Sequence, residues 1–543
     1  MQRRSFLLAA GGTMAAAGLA MTGWRWQEIT AQAHYPGRAA GHVLRAAQTW
    51  PAPGAHFDTD GVVLGSGIAG LTAVWKMHKE GRDDYLLIDG PEPDGNAAGG
   101  RHGDLAYPTG AHYLPLPSVD SFHVREVLHD LGILLRNPTS EKPYYDERFL
   151  LHAPHERLLI GGRWQEGLIP VEGVNAAELA QQRRFFSQIE RLRTMRGADG
   201  KRPFVFPAER SSNDPRWTQL DGLSFASWMK QNGYDAASLQ WYVDYACRDD
   251  FGAGFDKVSA WAGLHYFCSR NGDAENAAAG AWLTWPGGLQ VIANGLARRT
   301  GLRRRGGTAA SLRQVPGGVE ALCFTEENGK LQTYTVRARK AICAMPLFVA
   351  SHVVENIAQY GFDKATDLPD YAPWMVANFL MKRFPEELPE APLSWDNVVY
   401  QQGAADLVTA SGLGYVLSTH QDIRSTPPQR TVLTSYVALS HQTPAAARAW
   451  LDTASVDALL ELASADLKAA YGWKFAQCVE RVDITVRGHA MALPRPGFRS
   501  NRGRIALREQ DGAILFAHAD LTGFSVFEEA SWWGYRAAQR AIA

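Results

Sequence analysis

The 543-residue sequence carries no surplus of either charge, with 55 lysines and arginines against 56 aspartates and glutamates. Its densest basic cluster, Arg303-Arg304-Arg305, is short and runs into Gly306-Gly307, which argues against nucleic-acid binding. Cysteine is scarce: Cys247, Cys268, Cys323, Cys343 and Cys478 form no CxxC pair and no spacing with histidine that would hold a metal. Neither a disulfide scaffold nor a metal centre is expected, and Cys343, in an apolar run, reads as a buried thiol. Internal repeats and low-complexity tracts are also missing. Long hydrophobic runs are absent too, because the one greasy stretch, residues 6–21, is rich in alanine and glycine and short for a membrane span. Arg3 and Arg4 precede that stretch, and charge followed by an apolar segment is the order of a secretory signal. The adjacent arginines make it a twin-arginine type. Residues 1–33 are therefore expected to address the chain to the twin-arginine export machinery and to a periplasmic or otherwise exported location. Ala31-Gln32-Ala33 is a candidate cleavage site.

What the sequence does contain is material for a large core. It is 46% hydrophobic and 20% charged, inside the range of globular proteins. Its length calls for two connected domains, or one domain with a large insertion. The 17 tryptophans and 22 phenylalanines imply a thick core or an aromatic-walled pocket. Residues 34–58, rich in proline, glycine and histidine, read as a linker. A strand then breaks into glycines, residues 68–80 carry apolar side chains at helical spacing, and Tyr85-Leu86-Leu87-Ile88-Asp89 is a second strand, which together make one βαβ unit. Residues 115–280 mix helical segments with proline-rich loops. Glu327-Asn328-Gly329 marks a hairpin, and the chain closes with a strand near residues 513–517 and a terminal helix.

The chemistry begins at the first turn. Gly65-Ser66-Gly67-Ile68-Ala69-Gly70 lies between a strand and a helix, the context that makes this pattern specific for a dinucleotide. The first glycine permits the tight turn, the second lets backbone approach a pyrophosphate at the helix N-terminus, and the third lets helix and strand pack. Asp89, followed by Gly90 about 20 residues on, is placed to accept hydrogen bonds from an unphosphorylated ribose. FAD and NAD both fit this turn.

Further segments follow in a fixed order: Gly99-Gly100-Arg101, Gly110-Ala111-His112-Tyr113, Trp285-Pro286-Gly287-Gly288, Cys343-Ala344-Met345-Pro346, and a closing stretch through Ala519, Asp520, Ser525, Val526 and Phe527. This series resembles the flavin amine oxidase family and its phytoene desaturase and protoporphyrinogen oxidase relatives. The resemblance implies FAD, with Gly100 and Arg101 at the diphosphate, residues 110–113 beside the isoalloxazine, Met345 among the cofactor-binding residues at its strand end, and Asp520 at the ribityl chain or diphosphate. It implies an α/β fold in which a Rossmann-like FAD-binding domain (residues 59–114, 281–349 and 481–543) is interleaved with an α+β substrate domain (115–280 and 350–480). Where monoamine oxidases place two aromatic rings, this chain has Ala490 and Val526, so that aromatic cage is missing, and Phe524, Phe527, Trp282 or Trp285 would have to supply other walls. His489 falls where some relatives carry a flavin-linking cysteine. Lys364 aligns loosely with a lysine that holds water at the flavin N5. Arg248-Asp249-Asp250 offers carboxylates for a distal ammonium.

The activity this implies is oxidation of a primary or secondary amine, a polyamine or an amino acid, by hydride transfer to flavin N5. The imine is then hydrolysed, and dioxygen or another acceptor takes the electrons. Two alternatives stand beside it: a desaturase or dehydrogenase of an apolar ring or polyene, and a catalytically silent flavin-binding module.

Overall fold

The computed structural model describes residues 29–46, 49–151, 155–301, 303–388, 392–400, 411–417 and 428–543. The leader's arginines and apolar run lie outside these residues. Its last part does not: Ala31-Gln32-Ala33 sits inside strand β1 (Thr30–His34), and helix α1 (Arg38–Arg45) follows. The stretch expected as a linker thus holds a helix and the start of strand β2 (Ala55–Leu64). Proline and glycine here mark the ends of elements, and tertiary pairing supplies the rest. β1 runs parallel to a distant strand, from Thr30 against Arg481 to His34 against Thr485.

After β2 come helix α2 (Ile68–Lys79) and strand β3 (Tyr85–Ile88), with β2 and β3 parallel from Gly61–Tyr85 to Leu64–Ile88. α2 is buried from Ile68 to Met77, because the parallel sheet and the C-terminal helix enclose it on two sides. Strand β4 (Glu156–Ile160) and helix α3 (Ala237–Phe251) belong to the inserted region. Strand β5 (Lys330–Cys343) returns to the first sheet. It pairs with Gly318–Glu327 through a hairpin whose turn, Asn328-Gly329, has both φ angles positive, at 52° and 73°. β5 also lies parallel to β2 and to Ile514–Phe516, closing a seven-stranded, Rossmann-like sheet.

The second sheet has eight strands and contains β1, Tyr371–Met381, Asp396–Val399, β4 and strand β6 (Val479–Ala492). The expected boundary at residue 481 therefore falls inside β6. Its residues pair with Tyr371–Met381 in this second sheet, and its C-terminal end delivers Gly488, His489 and Ala490 to the space between the sheets. Helix α4 (Pro444–Thr453) packs on this sheet, and helix α5 (Phe527–Ile542) crosses α2. At that crossing a Cβ on Gly534 would stand 2.1 Å from the Ala69 carbonyl oxygen. Gly534→Val should therefore lower the stability of the folded chain by about 3 kcal/mol, measured as a drop in the denaturant midpoint.

Candidate functional site

Between the two sheets lies a cavity of about 840 Å³, the size of a cofactor site. Gly65, Ser66, Gly67, Ile68 and Ala69 form its floor, where β2 gives way to the N-terminus of α2. Gly65 has φ +107° and lies against the Ala344 carbonyl, and a Cβ on Gly70 would meet the Gly65 oxygen at 1.9 Å, so both positions demand glycine for packing. Gly67 differs: no protein atom comes within 4 Å of a Cβ built there. The backbone is bare on the cavity side, as an approaching pyrophosphate requires.

Asp89 and Gly90 line the cavity next. The Asp89 carboxylate is ion-paired with Arg304, whose guanidinium also reaches Ser66 Oγ at 3.4 Å and Asp94 at 4.0 Å. This pairing went unseen in the sequence because Arg303-Arg304-Arg305 reads as surface charge, whereas Arg304 and Arg305 form a short strand against β3. The buried Asp94 oxygen that faces Arg304 accepts no hydrogen bond, and burial, outweighing Arg304, pushes the Asp94 pKa up. A ribose hydroxyl fits that orphaned acceptor.

At the other end stand Met345, Ala519, Asp520, Ser525, Val526 and Phe527. Burial alone would raise the Asp520 carboxyl. His518 at 3.2 Å, the Tyr371 hydroxyl at 2.6 Å and the Leu347 amide at 2.9 Å outweigh that and hold it below the ordinary carboxylate range. Asp520 therefore stays ionised. His489 lines the same wall, stacked on Phe348 at 4.6 Å between ring centroids. Burial, helped by Arg448 and Arg45, pushes its pKa down to about 4, so the ring is neutral.

Other expected residues stand elsewhere. Arg101 is exposed and donates to the carbonyls of Gly103 at 3.3 Å and Asp104 at 2.9 Å, outside the cavity wall with Gly100. Its side chain satisfies its own turn, which removes it from a diphosphate role in this conformation. Gly110 also stands behind the wall, where a Cβ would meet the Asn96 carbonyl at 2.3 Å. Lys364 is exposed in a turn and is not part of the cavity wall, although it lies near enough to the lining His352 to help lower that imidazole's pKa.

The expected pair Ala111 and His112 divides between two spaces. Ala111 faces the large cavity, while His112 and Tyr113 open onto a second, smaller chamber of about 30 Å³. Its walls are aromatic: His112 stacks on Tyr436 at 4.4 Å, Tyr113 meets Trp282 edge-on at 4.8 Å, and Trp395 and Tyr245 complete the ring. The Tyr436 hydroxyl donates to the Gly110 carbonyl at 3.2 Å, and Ala490, which lines the large cavity, packs into the same aromatic cluster. The two spaces thus share a wall.

Into this apolar chamber project three carboxylates. Glu156 opens β4 and Asp396 opens the neighbouring strand, in parallel register opposite one another, while Asp249 comes from the last turn of α3. Among the described residues none of the three forms an ion pair or a side-chain hydrogen bond. Burial raises all of them, joined by repulsion from Asp249 at Glu156, from Asp250 at Asp249 against the pull of Arg270 and Arg248, and from Glu156 and Asp249 at Asp396: Glu156 and Asp249 rise to about 7, and Asp396 well above the ordinary carboxylate value. Asp250 and Arg248, flagged beside Asp249 in the sequence, look away and are paired with Arg270 and Asp244. Glu156 and Asp396 carry no sequence signal, because strand pairing alone unites residues this far apart. Of the aromatic walls considered from sequence, Trp282 lines the chamber and Phe527 the large cavity, whereas Phe524 is stacked on His265 in the helical core and Trp285 is buried in the main core.

A family model described as NAD(P)-binding Rossmann-like domain matches residues 63–131. No curated protein sequence matches the chain. Among solved structures, wild-type putrescine oxidase bound to putrescine aligns with a TM-score of 0.60 at 15% identity over 90% of this chain and 99% of that one. Cyclohexylamine oxidase from Brevibacterium oxydans IH-35A aligns with a TM-score of 0.59 at 15% identity, over 89% and 99%. A fatty acid isomerase from P. acnes described as producing CLA gives 0.59 at 15% identity, over 88% and 97%. These likenesses show the fold over 88–90% of this chain.

Proposed function

We propose that the protein is an exported, FAD-dependent oxidoreductase that oxidises amines, with diamines or polyamines as its substrates. The observation that carries the substrate reading is the trio Glu156, Asp249 and Asp396, three half-buried carboxylates without a salt bridge, though Arg270 and Arg248 lie near Asp249, in an aromatic chamber that shares a wall with the cofactor-sized cavity. Acidic groups crowded in such a place are stabilised by whatever brings positive charge to them. An apolar polyene would leave all three unmatched. An amino acid would add a fourth carboxylate. One ammonium group of a chain that bears two or more matches both the charge and the aromatic faces, which attract cations in their own right, and a chamber of about 30 Å³ admits that head group while the rest of the chain occupies the large cavity. The likeness to a structure described as putrescine-bound putrescine oxidase supports the same choice.

FAD, when bound, supplies the hydride acceptor for oxidation of the carbon beside nitrogen. The chain's own residues do the rest. Gly67 and the N-terminus of α2 would present backbone to its diphosphate, the ion-paired Asp89 and Arg304 would meet its ribose, and ionised Asp520 would stand at the opposite end. His112 and Tyr436 form the shared wall and exclude water from it. A carboxylate whose pKa lies near 7 takes a proton from an incoming ammonium more readily than an ordinary one, which leaves the neutral amine that hydride loss requires. Export follows from Arg3, Arg4 and the apolar run behind them.

Anaerobic titration of the purified, FAD-loaded chain tests the reading. Diamines should bleach the flavin absorbance, with single-charge amines weaker by about tenfold or more. A flavin that stays oxidised with every amine, or that answers only to apolar substrates, overturns it.

A further inference from the structure

The segment ahead of the Rossmann sheet does more than connect. β1 is an edge strand on the eight-stranded sheet, held by five parallel register pairs to β6 and by the Arg481–Gln32 hydrogen bond at 2.9 Å. On the far side, Trp50 lies against Phe324 at 5.1 Å and the Pro51 carbonyl accepts from Thr333 at 2.8 Å, both on the Rossmann sheet. Between these anchors α1 runs across the mouth of the 840 Å³ cavity, and Gly37, Ala40, Gly41, Leu44 and Arg45 line it. Arg38 ties the helix to Asp452 of α4 at 3.3 Å, and Gly37 comes against the Pro91 ring just beyond the ribose-binding strand.

α1 has no buried residue. An eight-residue helix is not stable by itself in water and depends on a face packed against something. Leu44 packs against the main core and the helix touches Leu347–Val353, while its inner face looks into the cavity, so a cofactor filling that cavity adds to this shallow packing.

We propose that residues 30–45 are a clasp that retains the cofactor: β1 fixes one end on the sheet edge, and α1 closes over the bound dinucleotide. Docking of α1 and binding of the cofactor then stabilise each other reciprocally. FAD leaves only when α1 lifts. This rests on the flavin reading above, because the clasp needs a dinucleotide beneath it. The clasp also requires that β1 remain attached to α1, so processing after Ala33 would disable it.

The test uses the chain in its FAD-loaded and FAD-stripped forms. Amide hydrogen exchange over residues 30–46 should be at least about tenfold slower with FAD bound. Release of FAD, followed by its fluorescence, should quicken about two- to fivefold in Arg38→Glu, since an exposed ion pair contributes modestly. The swap Arg38→Glu with Asp452→Arg should restore the slow release. Equal exchange with and without FAD, or an unchanged release rate in Arg38→Glu, overturns the clasp alone. Failure of the chain to take up FAD at all overturns both the clasp and the flavin reading.

Discussion

Gly67→Val is expected to fold and yet emerge colourless. A Cβ at this position meets no protein atom within 4 Å, and its backbone angles, φ −68° and ψ −179°, suit any residue, so nothing within the chain resists the substitution. The space it fills is the one a pyrophosphate needs at the N-terminus of α2. Flavin content after reconstitution should fall by about tenfold or more, while circular dichroism and the thermal midpoint of the cofactor-free protein stay close to those of the parent. The neighbouring glycine provides the contrast. Gly70→Val would drive a side chain into the Gly65 carbonyl at 1.9 Å, and should lose soluble folded protein as well as flavin. A yellow Gly67→Val protein with normal flavin content would remove the dinucleotide from this turn.

The carboxylate trio gives the other large effect. Asp249→Asn, Asp396→Asn and Glu156→Gln should each leave flavin binding intact and weaken the diamine about 30- to 1,000-fold, the range found when one partner of a desolvated charge pair is removed. Single-charge amines should lose less. If all three variants oxidise diamines as the parent does, the chamber is not the substrate site.

The same groups govern stability. In the native chain Glu156 and Asp249 hold their protons to about pH 7, whereas unfolded they release them near 4.5 and 3.8. Between those values the folded state binds more protons than the unfolded one, so stability falls as pH rises through that window and is lowest above 7. Asp466, Glu528 and Glu529, also raised by burial, push the same way. The imidazoles of His123, His265 and His489, held down by burial to about 4, 3 and 4 from 6.5, push the other way as pH falls below 6.5. Fewer groups act there, over a narrower window, so the ligand-free parent should still melt higher at pH 5 than at pH 7.5, and the gap should narrow when the trio is replaced by carboxamides. A diamine should raise the midpoint at pH 7.5 in the parent and leave the triple variant unmoved.

The sequence by itself determined the βαβ unit, its glycine turn and the hairpin at Asn328-Gly329, because each depends on residues adjacent in the chain and on backbone angles that few side chains permit. The helical character of the stretch from 115 to 280 was legible for the same reason, and its long helix Ala176–Thr194 proves to be capped by Asn175. Only the tertiary structure decided that Arg101 turns outward while Arg304 meets Asp89, that residues 30–45 build a strand and a helix, and that β6 belongs to the second sheet. It also decided the chamber. Glu156 and Asp396 are brought together by parallel strand pairing, and Asp249 by a helix packed across them, so no local pattern could announce the three as a group. Local sequence sets which turns and periodicities are possible. Long-range pairing settles which charged side chains end up facing one another away from water, and the chemistry depends on that.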